Sequence, residues 1–242
     1  MILMYHNIGE KAGFNTVSLD ELKRQIVYIK DNFTVLNAED YIKQLDSEKE
    51  NVLITIDDAY TSFIELFYPV LKELNLPALL FVPSDHVGKY NVWDTKEKIR
   101  IMGWNSITEI SNENLVEIGS HGRSHKRLSG LSESEVISEF IDSKNEIYLR
   151  TAKPVRYFSY PFGQINDYSQ FSVKKLKECG YDAAFSTRYG ISNRIKYLYE
   201  LRRIEVEPKD DLNTFKKKCE CKLHIKLLKR YIKENLIRAG IL

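Results

Sequence analysis

The chain has 242 residues, 43% of them hydrophobic and 29% charged, with a formal net charge of +2. That length suits one large α/β domain with a buried core, and the composition is ordinary for a soluble globular protein. No apolar run approaches the roughly 18 to 20 residues that a membrane-spanning helix needs.

Met1–Tyr5 reads as a buried strand. Met1 to Glu10 lacks a basic start followed by an apolar stretch, so no secretory leader is expected and the cytoplasm is the expected location. Ser18-Leu-Asp-Glu21 is a capping box that opens a helix to about Asp31. Val35-Leu36 is a short extended piece before a helix near 37–45. Val52–Ile56 (VLITI) is β-branched and apolar, so it reads as a buried strand. A helix follows over roughly 61–74, then a strand at Ala78–Val82. Residues 83–105 are loop-rich. A second capping box, Ser106 with Glu109, predicts a helix starting at Ser106. Leu115–Ile118 is a strand, and Ser132-Glu-Ser-Glu135 opens a long helix to about Leu149. Arg156–Ser159 is a strand ending at Tyr160-Pro-Phe-Gly163. A helix near 171–179, strands at Ala183–Ser186 and Arg203–Val206, and a basic C-terminal helix complete the chain. Strands that alternate with helices imply a parallel sheet with crossover helices. About seven such units in one domain suit a closed or nearly closed barrel, with chemistry at the C-terminal strand ends.

Two motifs sit at those ends. Asp57-Asp58 directly follows VLITI. One Asp there could simply cap the next helix, but two adjacent carboxylates repel each other unless a cation or proton is present. Ser120-His121-Gly-Arg-Ser-His125 follows the next strand but one. Histidines four apart can share a metal if the backbone turns helically between them. Two of the five histidines fall in this loop. With the Asp pair they supply one carboxylate and two imidazoles, a facial set with positions open to water.

The segments ITIDDAY (54–60), SHGRSH (120–125) and YPFG (160–163) resemble those of the NodB-homology polysaccharide deacetylases, carbohydrate esterase family 4. ILMYHNIG (2–9) and GYDAAFST (180–187) are also similar. The match is nearest to the branch of the poly-N-acetylglucosamine deacetylases, and it runs from Ile2 to about Val206. The resemblance implies a distorted (β/α)7 barrel and removal of an N-acetyl group from a sugar by metal-activated water. The substrate would be an N-acetylated glycan: a polysaccharide, an oligosaccharide or a lipid-linked sugar. Asp58, His121 and His125 would hold the divalent metal, and Asp57 would be the general base. Zinc is the first expectation, and cobalt, nickel or manganese would accept the same ligands. A metal lowers the pKa of water and polarises the acyl oxygen, while Asp57 takes the proton. The N–H of Phe162 would meet the oxyanion, with Pro161 stiffening the turn and Gly163 permitting it.

This sequence departs from the family pattern in three places. Ala59 stands where Gly is usual after the Asp pair, and a positive φ there would strain it. The third motif lacks its Arg, and Arg203 is expected to orient Asp57 instead. No His follows in a late Leu-x-His motif, so His6 is the candidate general acid, with the metal-activated water as the other. Trp93, Trp104, Tyr60 and Tyr160, beside Pro161, are candidates for a sugar platform, with plain core packing as the alternative for each.

The last candidates lie near the C-terminus. From Lys216 to Arg238 there are nine Lys/Arg and two Glu, a local +7, against about −5 for the remainder. Ile225, Leu228, Ile232 and Leu236 share one helical face, with Lys226, Lys229, Arg230 and Lys233 on the other sides. This tail, about 210–242, either closes the single domain (1–242) or attaches it to an anionic membrane surface, peripheral to the cytoplasm and near a lipid-linked substrate. His224 within it reads as a surface residue. The three cysteines argue against a disulfide framework, and Cys219-Glu-Cys221 lacks the second ligand pair a soft-metal site needs. The alternatives kept open are a catalytically inactive glycan-binding member and a deformylase or other amidase on a related sugar. Nucleic-acid binding is not expected, because the basic residues are confined to the tail.

Overall fold

The computed structural model describes residues 1–47, 50–191 and 193–220. The elements in chain order begin with β1 (Ile2–Tyr5), β2 (Asn7–Gly9), β3 (Thr16–Ser18), α1 (Leu19–Asn32), β4 (Thr34–Val35), α2 (Ala38–Lys43) and β5 (Asn51–Ile56). A π-helical turn over Phe63–Phe67 leads into α3 (Tyr68–Leu74), followed by β6 (Ala78–Val82), α4 (Trp104–Ser111), β7 (Val116–Ser120) and α5 (Glu133–Thr151). The chain continues with β8 (Tyr157–Ser159), α6 (Gln170–Glu178), β9 (Ala183–Tyr189), β10 (Leu201–Glu205) and α7 (Leu212–Cys219). Among the described residues no helix is long and apolar enough to cross a membrane.

Seven strands close on themselves in the order β1-β10-β9-β8-β7-β6-β5, and β5 pairs back to β1. Every pairing in this ring is parallel. β4 pairs with the first two residues of β5, ahead of the point where β1 joins it. The ring is irregular where β10 meets β9, whose register shifts between Leu201 and Arg203. The fold is therefore a distorted (β/α)7 barrel, the form the resemblance implies and a closed case of the barrel the alternating pattern suits.

Strand alternation divides the core into two layers. Leu3, Tyr5, Ile54, Leu80, Ile118 and Phe158 face the helices. Ile2, Leu53, Leu79, Phe81, Tyr157, Phe185 and Leu201 fill the barrel interior, with Ala38 and Tyr41 of α2 packed against them. Gly119 lies on an inward position where a Cβ would come within 2.6 Å of the Phe81 ring, so the interior is filled from β6 instead. Above this apolar floor the same parity carries Thr55, Asp57, His121 and Arg203, so the site is built on the barrel's own strands.

The start of α4 and a small second sheet differ from the sequence reading. α4 starts at Trp104, and its N-cap Gly103 makes no side-chain cap bond, so Ser106 lies inside the helix. The three-residue strands β2 and β3 pair with each other as a separate two-stranded sheet. Cys219 is buried in α7, whereas Cys221, His224 and the amphipathic tail face lie outside the described residues.

One inward carboxyl, Glu117, sits near the floor. Burial pushes it up to about 7 from an ordinary 4.5; Arg156 pulls it back, while Glu39 and Asp182 add to the rise. Between about pH 4.5 and 7 the folded state then holds a proton that the unfolded chain has lost, so stability falls as pH rises through that window. Glu117→Gln removes this penalty, which amounts to up to about 3 kcal/mol. Thermal melts should show the variant above wild type at pH 8 and level with it near pH 4.5. A constant gap at both pH values would contradict the assignment.

Candidate active site

Asp57 directly follows β5 and keeps its inward parity. Asp58 and Ala59 then adopt left-handed backbone, with φ of 71° and 51°. Consecutive residues of a strand point to opposite faces, so this turn is what lets both carboxylates line one cleft. Ala59 carries the positive φ that glycine would take without strain, and it is fully buried.

His121 follows β7, and its loop is not helical. Gly122 and His125 are both left-handed, at 74° and 54°. The loop is tied by Glu139 of α5, which accepts from the N–H groups of Arg123 (2.7 Å) and Ser124 (2.9 Å) and from the Ser124 hydroxyl (2.5 Å). The two histidines therefore converge through a carboxylate-pinned turn rather than the helical spacing expected from the sequence. Asp58 Oδ1 lies 3.1 Å from His125 Nε2 and 3.5 Å from His121 Nε2. His121 Nδ1 faces the Ser159 carbonyl at 2.8 Å.

Arg203 of β10 is fully buried and uses its whole guanidinium. It donates to both oxygens of Asp57 at 2.7 Å, to Thr55 Oγ1 (3.1 Å), to Ser159 Oγ (2.8 Å) and, through Nε, to the Ser186 carbonyl (2.9 Å). The Ser159 hydroxyl also reaches Asp57 Oδ2 at 3.3 Å. Burial would raise the Asp57 carboxyl, but Arg203 and His121 hold it below the usual range. Burial pulls the His121 imidazole down to about 4, against the opposing pull of Asp57 and Asp58.

These groups open into a cleft of about 360 Å³. It is lined by Asp57, Asp58, His121 and His125, and also by His6, Trp93 and Phe162. Phe162 is left-handed at φ 60°, and its carbonyl accepts from the Thr187 hydroxyl. Gly163 holds the turn at φ 64°, where a Cβ would lie 2.8 Å from the Thr187 nitrogen.

The remaining platform candidates are placed elsewhere. Tyr160 continues the outward parity of β8. It stacks on Tyr168 at 4.0 Å and donates to the Tyr199 carbonyl, so it belongs to the outer core. Pro161 is buried behind Gly122. Trp104 lies under Arg150 and lines a separate hollow with Arg123 and Glu146. Tyr60 is 2% exposed, with its hydroxyl facing the Asp58 carboxylate and the Asn91 amide 3.5 Å away. Only Trp93 of the five borders the cleft. Sequence reasoning missed Thr55, Ser159 and Glu139, and also the cleft residues Phe14, Asn15, Asp94, Gln164, Thr187 and Glu205. Inward parity could have found Thr55 and Ser159; nothing in the sequence marks Glu139.

The donor set fits a divalent metal. The ligand atoms of Asp58, His121 and His125 all lie within 4.8 Å of one another and are buried. Asp58 Oδ1 has no hydrogen-bond partner among the described residues. A buried anionic oxygen facing two imidazole nitrogens is costly without a cation.

A fold of this kind with this cluster at its mouth defines a class, and the comparisons name it. The model of the polysaccharide deacetylase family matches residues 44–184, and the chain belongs to that family. YxkH of Bacillus subtilis (strain 168), a protein named for the same family, is 29% identical over 213 residues, covering 86% of this chain and 71% of that one. The poly-β-1,6-N-acetyl-D-glucosamine N-deacetylase of Staphylococcus epidermidis is 25% identical over 213 residues, covering 77% of this chain and 71% of its own length. For the Escherichia coli (strain K12) enzyme of that name the identity is 22%, and this chain spans only 34% of its length. Among solved structures, IcaB from Ammonifex degensii superposes with a TM-score of 0.78 at 20% identity, covering 91% of this chain and 95% of that one. The Streptococcus pyogenes deacetylase PplD, in complex with acetate, gives 0.75 at 21% identity, covering 90% and 96%. These two share the fold.

Proposed function

We propose that the protein hydrolyses the N-acetyl group of an N-acetylated glycan, with Asp57 as general base and Asp58, His121 and His125 as ligands of a divalent metal. One observation carries the reading: a buried carboxylate clamped by Arg203 stands beside a separate carboxylate–imidazole cluster at the barrel mouth. A divalent cation, zinc first among those that suit these ligands, would supply Lewis acidity to the acyl oxygen and acidify the attacking water.

The side chains supply the rest. An amide is a poor electrophile, so a base must take the proton from water as it attacks. Asp57 is ionised at neutral pH because Arg203 offsets its burial, and its two oxygens are fixed by the guanidinium fork. The Phe162 N–H, on the strained turn at the cleft wall, is assigned to the developing oxyanion. His6, which borders the cleft outside the ligand cluster, is assigned to protonate the leaving amine. The relatives named for poly-β-1,6-N-acetyl-D-glucosamine support this sugar class.

The test is acetate release by metal-loaded protein from β-1,6- and β-1,4-linked N-acetylglucosamine oligomers. Release, with loss of the acetyl mass from the sugar, is expected, and the β-1,6 series should be the better substrate. Glycan binding without release would favour an inactive, binding member of the fold.

A further inference from the structure

The two imidazoles of the cluster are held by different means. His121 is fixed by its Nδ1 contact with the Ser159 carbonyl at 2.8 Å. His125 Nδ1 is buried with no hydrogen-bond partner among the described residues. A ligating imidazole is ordinarily oriented through its second nitrogen, which sets both ring rotation and tautomer. In His125 that role falls to ring contacts. Trp93 lies flat on it, with centroids 3.7 Å apart and planes 18° from parallel. Phe162 meets it edge-on at 5.2 Å.

Trp93 is itself braced. His86 abuts its ring at 5.1 Å in a T-shaped contact, and His86 Nε2 lies 3.1 Å from the carbonyl of Ser124, the residue before His125. The loop that carries the ligand and the loop that carries the indole are thus locked together. The backbone of His125 is left-handed, at φ 54°, a conformation that persists only where its surroundings impose it.

We propose that Trp93 is a positioning residue for His125, which fixes the imidazole in its ligating orientation by stacking, and that the indole emission of Trp93 therefore reports metal occupancy. This rests on the metal reading above. The stack restricts ring rotation and covers one imidazole face from solvent. It also means that one face of Trp93 is already taken, which leaves at most its other face and its edge for a sugar.

The chain has only two tryptophans, and Trp104 lies outside the cleft. In the full chain, Trp104→Phe leaves Trp93 as the sole indole. Titration of this metal-stripped protein with Zn²⁺ should change its emission, saturating at one equivalent with the calorimetric midpoint. Trp93→Leu should weaken Zn²⁺ binding about tenfold or more, the range for loss of an outer contact to a ligand. Trp93→Phe keeps a ring face and should recover most of the affinity, which a role in folding alone would not separate from Leu by metal affinity in folded samples. Wild-type affinity in folded Trp93→Leu would overturn the proposal. If that variant does not fold, Trp93 emission that stays unchanged at calorimetric saturation overturns it equally. No calorimetric binding to the wild type would instead remove the metal reading, and this inference with it.

Discussion

Asp57→Asn should lower kcat/KM for acetate release by about 10²- to 10⁴-fold, the range for loss of a positioned general base. Asn keeps the size of the side chain and one acceptor oxygen for Arg203, but it cannot take a proton from water. The ligand cluster does not include Asp57, whose nearer oxygen is 3.9 Å from His121 Nε2. Zn²⁺ affinity should therefore stay near wild type while turnover collapses. Parallel loss of metal binding and activity would mean that Asp57 serves the metal rather than the water. The variant should also melt lower, because the buried Arg203 loses its counter-charge.

Arg203→Lys and Arg203→Met separate geometry from charge. Arginine meets five acceptor contacts here, two of them on one carboxylate. Lysine keeps the charge but cannot reproduce a planar fork, so Asp57 is free to turn. A misplaced base costs about a hundredfold in turnover. Methionine goes further, leaving a buried carboxylate unpaired, a change worth about 3–5 kcal/mol of stability. It also removes the main group that opposes the burial of Asp57, so the carboxyl rises and the acid limb of the pH–kcat/KM profile moves to higher pH. Activity is then lost first at low pH. Equal turnover in Arg203→Lys would remove the orienting role. An acid limb that does not move in Arg203→Met would show that another group titrates in that limb.

The sequence made some of this legible and hid the rest for physical reasons. Apolar β-branched runs such as VLITI mark buried parallel strands, so the barrel and the two strand ends carrying Asp57-Asp58 and His121 could be read directly. Arg203 could be anticipated because a third-motif position was empty, and the structure places its guanidinium on both Asp57 oxygens. Ser106 looked like an N-cap because Glu109 follows three residues later. The extended backbone of Gly103 starts the helix earlier without a side-chain cap. For Tyr160 the sequence leaves platform and core packing open; alternation decides it, sending Ser159 inward and Tyr160 outward into the core. Trp93 and Trp104 were indistinguishable in a loop-rich stretch: one ends against His125 and the other under Arg150. Glu139 sits mid-helix 14 residues beyond His125, where only tertiary packing brings it to the histidine loop.

Everything proposed for the reaction requires that Asp58, His121 and His125 form one metal site. Calorimetric titration of the metal-stripped protein with Zn²⁺, for wild type and His121→Ala, tests it most directly. Wild type should bind tightly at one equivalent, and the variant should lose that binding. A folded wild-type protein that takes up no Zn²⁺, Co²⁺, Ni²⁺ or Mn²⁺, or a His121→Ala variant that binds as well as wild type, would contradict it.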